Sequence, residues 1–446
     1  MIICVSMSNL KRVKKSGKSR KDAQGFRFVQ RVGAISEYTL LANDMRVLLL
    51  EDDTTPTATL MVTYHVGSRN EVLGTTGSTH ILEHLMFKGS KNFNDKKGNR
   101  LDYLFDEIGA RNNATTSPDR TNYYEILPSE HLPLAIAVEA DRMRNATFDD
   151  KDLASEMTVV RNEFERGEND PTEALAKAVW GAAFLAHPYH HSTIGWKSDI
   201  EGSTAEKLRA FYDHFYWPNN ATLSIIGNFD TSPILETVRL NFAKLPASSH
   251  EIRDVSVEEP FQEGERRTIV RRHEEKQAVE VAYKVRKALD PTSYPLLILT
   301  QVLGAEHTGR LYKALVDKGL ARGVSSRWWP TKDTGLLEIV AMLTNGTKHE
   351  EVEQVIEKEL AKIVRGGITK DECDRARATL RAMIAFARDG SYAVADGLNE
   401  ALAIGDWTYY PTLQDKLALV QPKDVHDLAK SIFIESGRTV GWFVGE

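Results

Sequence analysis

The chain has 446 residues, a formal net charge of -6 at pH 7 and 41% hydrophobic residues, a composition that is typical of a soluble globular protein. Its length exceeds what a single hydrophobic core supports, so we expect two or more domains. The mild acidity argues against nucleic acid as the main partner, no apolar run reaches the roughly 18 residues of a membrane-spanning helix, and Cys4 and Cys373 give neither a disulfide framework nor a thiolate metal site.

The sequence of the first part of the chain predicts a tail followed by an α+β region. Residues 1–25 contain the basic stretch LKRVKKSGKSRK and are predicted to be a solvated tail. From Phe26 onward, β-rich runs are separated by Asn-Asp and Thr-Pro turns: FRFVQ, YTLLANDMRVLLLED and TATLMVTYHVGSR. A helix, strands within ARNNATTSPDRTNYYEILP, and helices near 130–145 and 150–186 follow. The amphipathic TAEKLRAFYDHFYW and the strand-like ATLSIIGNFD complete the region.

A second cycle of elements follows a polar, acidic linker, predicted at 246–267. After the linker come the strand-like TIVRRHEEKQAVEVAYKV, the helical LLILTQVLG, the strand-like GVSSRWWP and GLLEIVAML, and helices at 348–365 and 369–388. Because this order resembles the first cycle, the sequence predicts an α+β fold with two similar halves, 26–245 and 268–446.

The segment GSTHILEHLMF predicts a helix that carries three chemically active side chains. Small hydroxylated residues precede it and Gly89 follows it, as helix ends prefer. His80 and His84 are one turn apart on one face, so two imidazole nitrogens can reach one ion at about 2.0–2.1 Å. Glu83 borders that face and can take a proton from water without ligating the metal. This H-x-x-E-H order is the inverzincin pattern; the alternative is a pair of core histidines satisfied by hydrogen bonds.

A catalytic zinc site that leaves one position for water needs a third protein ligand. The helical run EMTVVRNEFE places Glu156 and Glu163 on one helix face, because they are seven residues apart. Val159 and Val160 lie between them, which indicates that this face is partly buried. Helix geometry alone does not separate the two carboxylates, and both also fit ordinary exposed helix charges.

These residues resemble the pitrilysin, insulinase and mitochondrial processing peptidase family of zinc metallopeptidases. STHILEHLMFKGS is similar to the family motif, in which an apolar residue, Phe, a basic residue and Gly follow H-x-x-E-H. In the family, a zinc-binding Glu follows the second His at about the distance that separates His84 from Glu163, and an auxiliary Glu precedes it by seven residues, as Glu156 does here. The segments HPYHHSTIG, FYDHFYWPNNATLSIIGNFD and GRLYKALVDKGLARGVSS also match, so the resemblance runs from about residue 26 to the end.

The resemblance implies two αβ-roll halves that face one another like a clam shell around a chamber, with zinc on the inner surface of the first half. By the same resemblance, His80, His84 and Glu163 bind one zinc ion per chain. Glu83 would be the general base, and Glu156 would support the site by orienting its ligands.

The resemblance also implies how substrate binds. The strand around Asn113-Ala114-Thr115, which matches the family, would pair with the backbone of an extended peptide. Substrates are therefore expected to be short or unfolded peptides. A second metal cluster at His187, His190 and His191 is not favoured, because a loop with surface histidines accounts for them.

The second half departs from the family at a catalytic pair. Complete members carry Arg and Tyr seven residues apart, and these groups reach the substrate and the oxyanion. With one deletion allowed, the corresponding positions are Val316 and Arg322 here. Because an oxyanion donor contributes about 10²–10³ in rate, we expect the chain alone to be weak or inactive. It resembles the metal subunit of a heterodimer in which a homologous partner supplies Arg and Tyr.

Other interpretations stay open. A self-sufficient monomer or homodimer would use Arg322 or another group in place of the missing pair. A non-catalytic scaffold, like the members built into respiratory complexes, has no need of the intact His80, Glu83, His84 and Glu163, and a zinc-binding module has no need of Glu83. The sequence does not identify the substrate or the partner. We expect a soluble protein of a bacterial-type cytoplasm or periplasm.

Overall fold

The computed structural model describes residues 23–273 and 275–445, and its strands form two sheets. The predicted tail, residues 1–25, lies outside the described residues except for 23–25. The strands of the first sheet are β1 (Phe26–Val32), β2 (Ile35–Leu40), β3 (Met45–Glu51), β4 (Thr57–Tyr64), β5 (Arg111–Thr116), β6 (Thr121–Pro128) and β7 (Ala221–Gly227). Those of the second sheet are β8 (Arg266–Arg272), β9 (Ala278–Val285), β10 (Ala321–Trp328), β11 (Gly335–Leu343) and β12 (Arg438–Gly445).

Helices surround both sheets. The first half contributes α1 (Ser78–Leu85), α2 (Leu101–Glu107), α3 (Leu132–Asn145), α4 (Asp150–Asn169), α5 (Pro171–Ala183), α6 (Lys197–Glu201), α7 (Ala205–Phe215) and α8 (Thr231–Phe242). The second half contributes α9 (Ser293–Gly304), α10 (His349–Gly366), α11 (Lys370–Phe386), α12 (Ser391–Ala403), α13 (Tyr409–Leu419) and α14 (Pro422–Ile432), and a π-helical turn spans Tyr312–Val316. None of the helices in the described residues has the length and apolar character that crossing a lipid bilayer requires.

The same strand order occurs in both sheets. The first sheet runs β1-β2-β3-β7-β4-β6-β5 and the second runs β10-β11-β9-β12-β8, so β3-β7-β4-β6-β5 has its counterpart in β8-β12-β9-β11-β10. Neighbouring strands are antiparallel except for the parallel pairs β3–β7 and β12–β8. The α+β fold with two similar halves is thereby confirmed. Helix α9 follows β9 as α1 follows β4, but its sequence SYPLLILTQVLG carries no His or Glu.

Each half packs one of its helices against the sheet of the other half. Along β4, Leu60 and Val62 join the core under the first-half helices, whereas Met61 belongs to a separate cluster on the opposite face. That cluster is completed by Leu398 and Leu402 of α12, a helix of the second half. The first half therefore depends on the second half to bury this face of its sheet.

Helix α5 of the first half covers the second sheet in return. Leu175 and Val179 of α5 pack in one cluster with Leu336 and Phe443 of the second sheet. A Cβ atom built at Gly441 would lie 2.4 Å from Val179 Cγ2, so glycine is needed for this close approach of helix and strand. The reciprocal packing joins the two halves through buried apolar surface on both sides.

The chain between α8 and β8, residues 243–265, contains no helix or strand and is anchored by Glu259. The carboxylate of Glu259 accepts hydrogen bonds from the backbone N–H groups of Leu185 (2.9 Å), Ala186 (2.9 Å) and His187 (3.1 Å), and pairs with Lys284 Nζ at 2.9 Å. Burial raises the pKa of this carboxyl, but the N–H groups and Lys284 outweigh burial and hold the pKa at about 2.

We expect Glu259→Gln to lower the free energy of unfolding by about 2 kcal/mol, because it removes a charged acceptor of several hydrogen bonds. The wild-type contribution should be fully present above about pH 4.3 and be lost as the pH falls through about 2, since the pKa is lowered by folding. Urea denaturation measures the effect, with Glu258→Gln, the same change at an exposed neighbour, as control. Equal effects of the two changes would contradict the anchoring role.

Candidate metal centre

The first turn of α1 is held by a buried carboxylate. Gly77 precedes the helix with φ +87°, and a Cβ atom there would lie 2.5 Å from the carbonyl oxygen of Ile194, so only glycine fits. Glu71 accepts hydrogen bonds from the N–H groups of Gly77 (2.8 Å) and Thr79 (2.7 Å), which have no partner within the helix. Burial raises the pKa of Glu71 to about 8. These contacts fix the backbone immediately before His80.

His80 and His84 of α1 converge with Glu163 of α4. Glu163 Oε2 lies 3.5 Å from the Nε2 atom of each histidine, and the three candidate ligand atoms all lie within 4.8 Å of one another. The two imidazole rings have centroids 4.8 Å apart and an interplanar angle of 78°. In residues 23–273 and 275–445, no other group of three or more His, Cys, Asp or Glu side chains converges in this way.

The ring nitrogens of His80 and His84 and the carboxylate of Glu163 are suited to binding a metal ion. His84 Nδ1 lies 3.1 Å from Glu156 Oε2, and since an ionised carboxylate only accepts, Nδ1 carries a proton and Nε2 is the ring nitrogen left to ligate an ion. Burial, and then the neighbouring His84, lowers the pKa of His80 to about 4, which keeps the His80 ring neutral. Two imidazole nitrogens and one carboxylate oxygen are ligands that zinc prefers, so the residues present fit zinc.

Glu156 and Glu163 differ in their partners. Glu156 is held between His84 and Lys88, whose Nζ donates to Glu156 Oε1. Partial burial raises the pKa of Glu156, but the hydrogen bonds from Lys88 and His84 outweigh burial and lower it. The Glu163 side chain is 42% exposed and the Glu156 side chain 14%. On the same helix face, Val160 is buried but Val159 is exposed, so the predicted burial holds for one valine only.

Glu83 lies beside the three converging groups. Its Oε2 atom accepts a hydrogen bond from the hydroxyl of Thr116, the last residue of β5. Burial raises the pKa of Glu83, and the bond from Thr116 opposes part of that effect. A carboxylate whose pKa is raised towards neutrality is suited to general base catalysis. Glu83 and His84 open onto a cleft of about 340 Å³, all of whose lining residues come from the first half.

The predicted peptide-binding strand forms part of this cleft. Strand β5 lies at one edge of the first sheet, and among the described residues it pairs on one side only, with β6. Asn113 is exposed and lines the cleft, Ala114 is buried, and the Thr115 N–H donates to Asn122 Oδ1 at 2.9 Å. The open edge of β5 thus runs beside Glu83, where an extended backbone can add as a further strand.

The positions that correspond to the expected Arg and Tyr, Val316 and Arg322, do not line this cleft. Val316 ends the π-helical turn and packs against the core of the second half. Arg322 lies at the start of β10, is exposed, and donates from Nη2 to Asn345 Oδ1 at 2.5 Å. Neither residue lines the cleft that contains Glu83.

The three histidines of the HPYHHSTIG segment have separate partners. His187 Nε2 is 3.1 Å from Asp333 Oδ2, His190 Nδ1 is 2.9 Å from the carbonyl oxygen of His187, and His191 Nδ1 is 3.2 Å from that of Ser192. They form no metal cluster in the part of the chain that the structure describes. The expectation of surface histidines is wrong for His187 and His191, because both are buried.

Sequence reasoning missed Lys88, Thr116 and Glu71. Lys88 is the basic residue of the motif, and it lies four residues after His84 and therefore close to the same face. Thr116 directly follows the predicted strand segment, so its position next to Glu83 required the fold. Nothing local distinguishes Glu71 from other loop carboxylates.

Comparisons with known proteins identify the family and the fold of the chain. The family model "Insulinase (Peptidase family M16)" matches residues 46–196, and the model "Peptidase M16 inactive domain" matches residues 203–380. The chain is 29% identical over 409 residues to the zinc protease YmxG of Bacillus subtilis, covering 90% of this chain and 96% of that protein. It is 24% identical over 433 residues to the mitochondrial-processing peptidase subunit beta of Lentinula edodes, covering 94% and 92%. The crystal structure of a protease from Helicobacter pylori matches with a TM-score of 0.88 and 26% identity, covering 93% of this chain and 100% of that one.

Proposed function

Because this chain belongs to the insulinase family of peptidases, peptidase family M16, we propose that it is the zinc-binding subunit of an endopeptidase that hydrolyses short or unfolded peptides. The observation that carries the proposal is the convergence of Nε2 of His80, Nε2 of His84 and Oε2 of Glu163 beside the carboxylate of Glu83. We propose that these three residues hold one zinc ion per chain.

Glu83, Thr116 and Glu156 have different roles in the proposed hydrolysis. Zinc, when bound, supplies a Lewis acid that activates water and polarises the scissile carbonyl. Glu83 accepts the proton of the attacking water and delivers it to the nitrogen of the leaving amine. Thr116 orients the Glu83 carboxylate through its hydroxyl, and Glu156 fixes the His84 ring by accepting a hydrogen bond from Nδ1–H.

Peptide binding is assigned to the open edge of β5. A peptide that lies along Asn113-Ala114-Thr115 makes main-chain hydrogen bonds and so requires an extended backbone. A folded protein does not offer such a backbone, and this is why the proposed substrates are short or unfolded. Chelation should abolish hydrolysis of a quenched fluorescent peptide by the complete enzyme, and added zinc should restore it. Hydrolysis that continues after chelation would contradict the proposal.

Two substitutions in α4 test the assignment of the carboxylates. Glu163→Gln should weaken zinc binding more than 100-fold, because it removes a charged ligand. Glu156→Gln should weaken it by about 10–100-fold, the typical effect of losing a partner of a metal-bound histidine. Competition with a chromophoric chelator measures both dissociation constants, and Glu165→Gln, an exposed position on the same helix, serves as control. The reverse ranking of the two variants would show that the ligand is Glu156.

A homologous partner subunit completes the proposed enzyme. The side chain of Val316 cannot donate a hydrogen bond, Arg322 Nη2 donates to Asn345, and none of the described residues of the second half lines the cleft. The chemistry still needs donors where charge develops on the carbonyl oxygen. A chain of this family with Arg and Tyr seven residues apart would supply them, and the Lentinula edodes relative is itself named as a subunit.

The alternatives have less support. A self-sufficient enzyme would have to bring Arg322 or another donor to the cleft, away from its present partner. The "inactive domain" model matches 203–380, which includes none of His80, Glu83, His84 and Glu163. A scaffold role for the whole chain would leave the geometry around these four residues without a purpose.

A further inference from the structure

Helix α12 brings a carboxylate of the second half to the first sheet. Asn399 of α12 is fully buried and its Oδ1 accepts a hydrogen bond from Thr63 Oγ1 of β4 at 2.9 Å. Its Nδ2 atom lies 3.1 Å from Glu400 Oε1 and donates to it. The Glu400 side chain is half exposed, but this partly buried hydrogen bond from Asn399 helps to define its position.

Arg120, in the turn between β5 and β6, connects Glu400 to the peptide-binding strand. Its Nε and Nη2 atoms donate to Glu400 Oε1 at 3.2 and 2.5 Å. Its Nη1 atom donates to the carbonyl oxygen of Thr115 at 2.8 Å and to the Thr115 hydroxyl at 2.6 Å. The guanidinium is rigid and planar, so binding one side of it to Glu400 sets the direction in which the other side donates.

The end of β5 that Arg120 holds is the end next to the general base. Thr115 is followed by Thr116, whose hydroxyl donates to Glu83 Oε2. A continuous set of hydrogen bonds and one peptide bond therefore leads from Glu400 to Glu83. The Arg120 side chain is 8% exposed, so water does not readily replace a lost partner.

We propose that Glu400 is a positioning residue for substrate: through Arg120 it holds the Thr115 end of β5 in the conformation that accepts a peptide beside Glu83. The inference rests on the proposed function, because it takes β5 as the strand that binds the peptide. It gives the second half a part in substrate binding, although that half carries no metal ligand. Without Glu400, two donors of a mostly buried guanidinium lose their acceptor, the guanidinium turns, and Thr115 loses its hydrogen bonds.

The test uses the full zinc-loaded chain in a Glu83→Gln background, which retains bound peptide uncleaved. Fluorescence anisotropy measures the affinity for a labelled unstructured peptide. Adding Glu400→Ala should weaken binding about tenfold, as expected for a lost hydrogen bond to a charged group. Adding Glu400→Gln, which keeps an acceptor oxygen, should restore most of the affinity. Glu350→Ala, an exposed position on α10, should change nothing, and zinc content should be equal in all variants.

Hydrogen–deuterium exchange at the Thr115 and Thr116 amides separates this inference from the proposed function. Glu400→Ala should exchange faster there than the parent, in the absence of any peptide. If exchange and peptide affinity stay at the parent values while the parent binds peptide, the positioning role is overturned and the proposed function stands. If the parent binds no peptide although exchange rises, the proposed function fails, and the role of Glu400 in substrate binding fails with it.

Discussion

Glu83→Gln should bind zinc as the wild type does and lose peptide hydrolysis by about 10²–10⁴-fold, the range expected for removal of a general base. The substitution keeps the size of the side chain and an acceptor for the Thr116 hydroxyl, so the helix and the three converging ligands should be undisturbed. Elemental analysis and single-turnover hydrolysis on one preparation measure both properties. Glu165→Gln supplies the control for an equivalent loss of charge at an exposed site.

The zinc content of the variants distinguishes a zinc ligand from a general base. His80→Ala or His84→Ala removes a proposed ligand, and these variants should lose zinc and activity together. A Glu83→Gln protein without zinc would mean that Glu83 is itself a ligand, which would overturn the assignment of Glu83 as base.

Mixing the chain with its homologous partner should raise peptide hydrolysis by about 10²-fold or more, because the partner contributes donors to the developing oxyanion. Each subunit alone should be inefficient. The expected partner carries Arg and Tyr seven residues apart and a degenerate H-x-x-E-H. Activity titrated against partner concentration, with the zinc-free chain as control, measures the effect.

Substitutions in the second half of the chain test independently whether a partner must supply Arg and Tyr. Val316→Arg combined with Arg322→Tyr should recover only part of the activity, since correct residue types do not guarantee a correct position. Full activity from the wild-type chain, shown to be monomeric and free of any partner, would contradict the heterodimer and favour the self-sufficient enzyme.

Local patterns of the sequence predict the placement of His80, Glu83 and His84 on one helix, but not which role each carboxylate has. The spacing of His80, Glu83 and His84 on one helix is a local property, and α1 has them as expected. The choice between Glu156 and Glu163 came from the family resemblance, because helix periodicity places both on one face. Only the fold separates them, since Lys88 and His84 engage Glu156 and leave Glu163 facing both histidines.

Other differences between the predicted and the observed helices and strands also have identifiable causes. The helical stretch predicted over 150–186 is two helices, because Asp170 caps α5 and Pro171 opens it; the Asn-Asp-Pro sequence carried that signal. No element was predicted after residue 388, although α12, α13, α14 and β12 lie there. The exchange of α5 and α12 between the halves depends on contacts distant in sequence, so periodicity could not predict it.

Zinc binding by His80, His84 and Glu163 can be observed by anomalous diffraction at the zinc absorption edge, on crystals of this chain grown with zinc. We expect one peak per chain, within about 2.0–2.2 Å of Nε2 of His80, Nε2 of His84 and an oxygen of Glu163. A zinc-replete crystal with no peak among these three residues, or with its peak elsewhere on the chain, would show that they are not the zinc ligands.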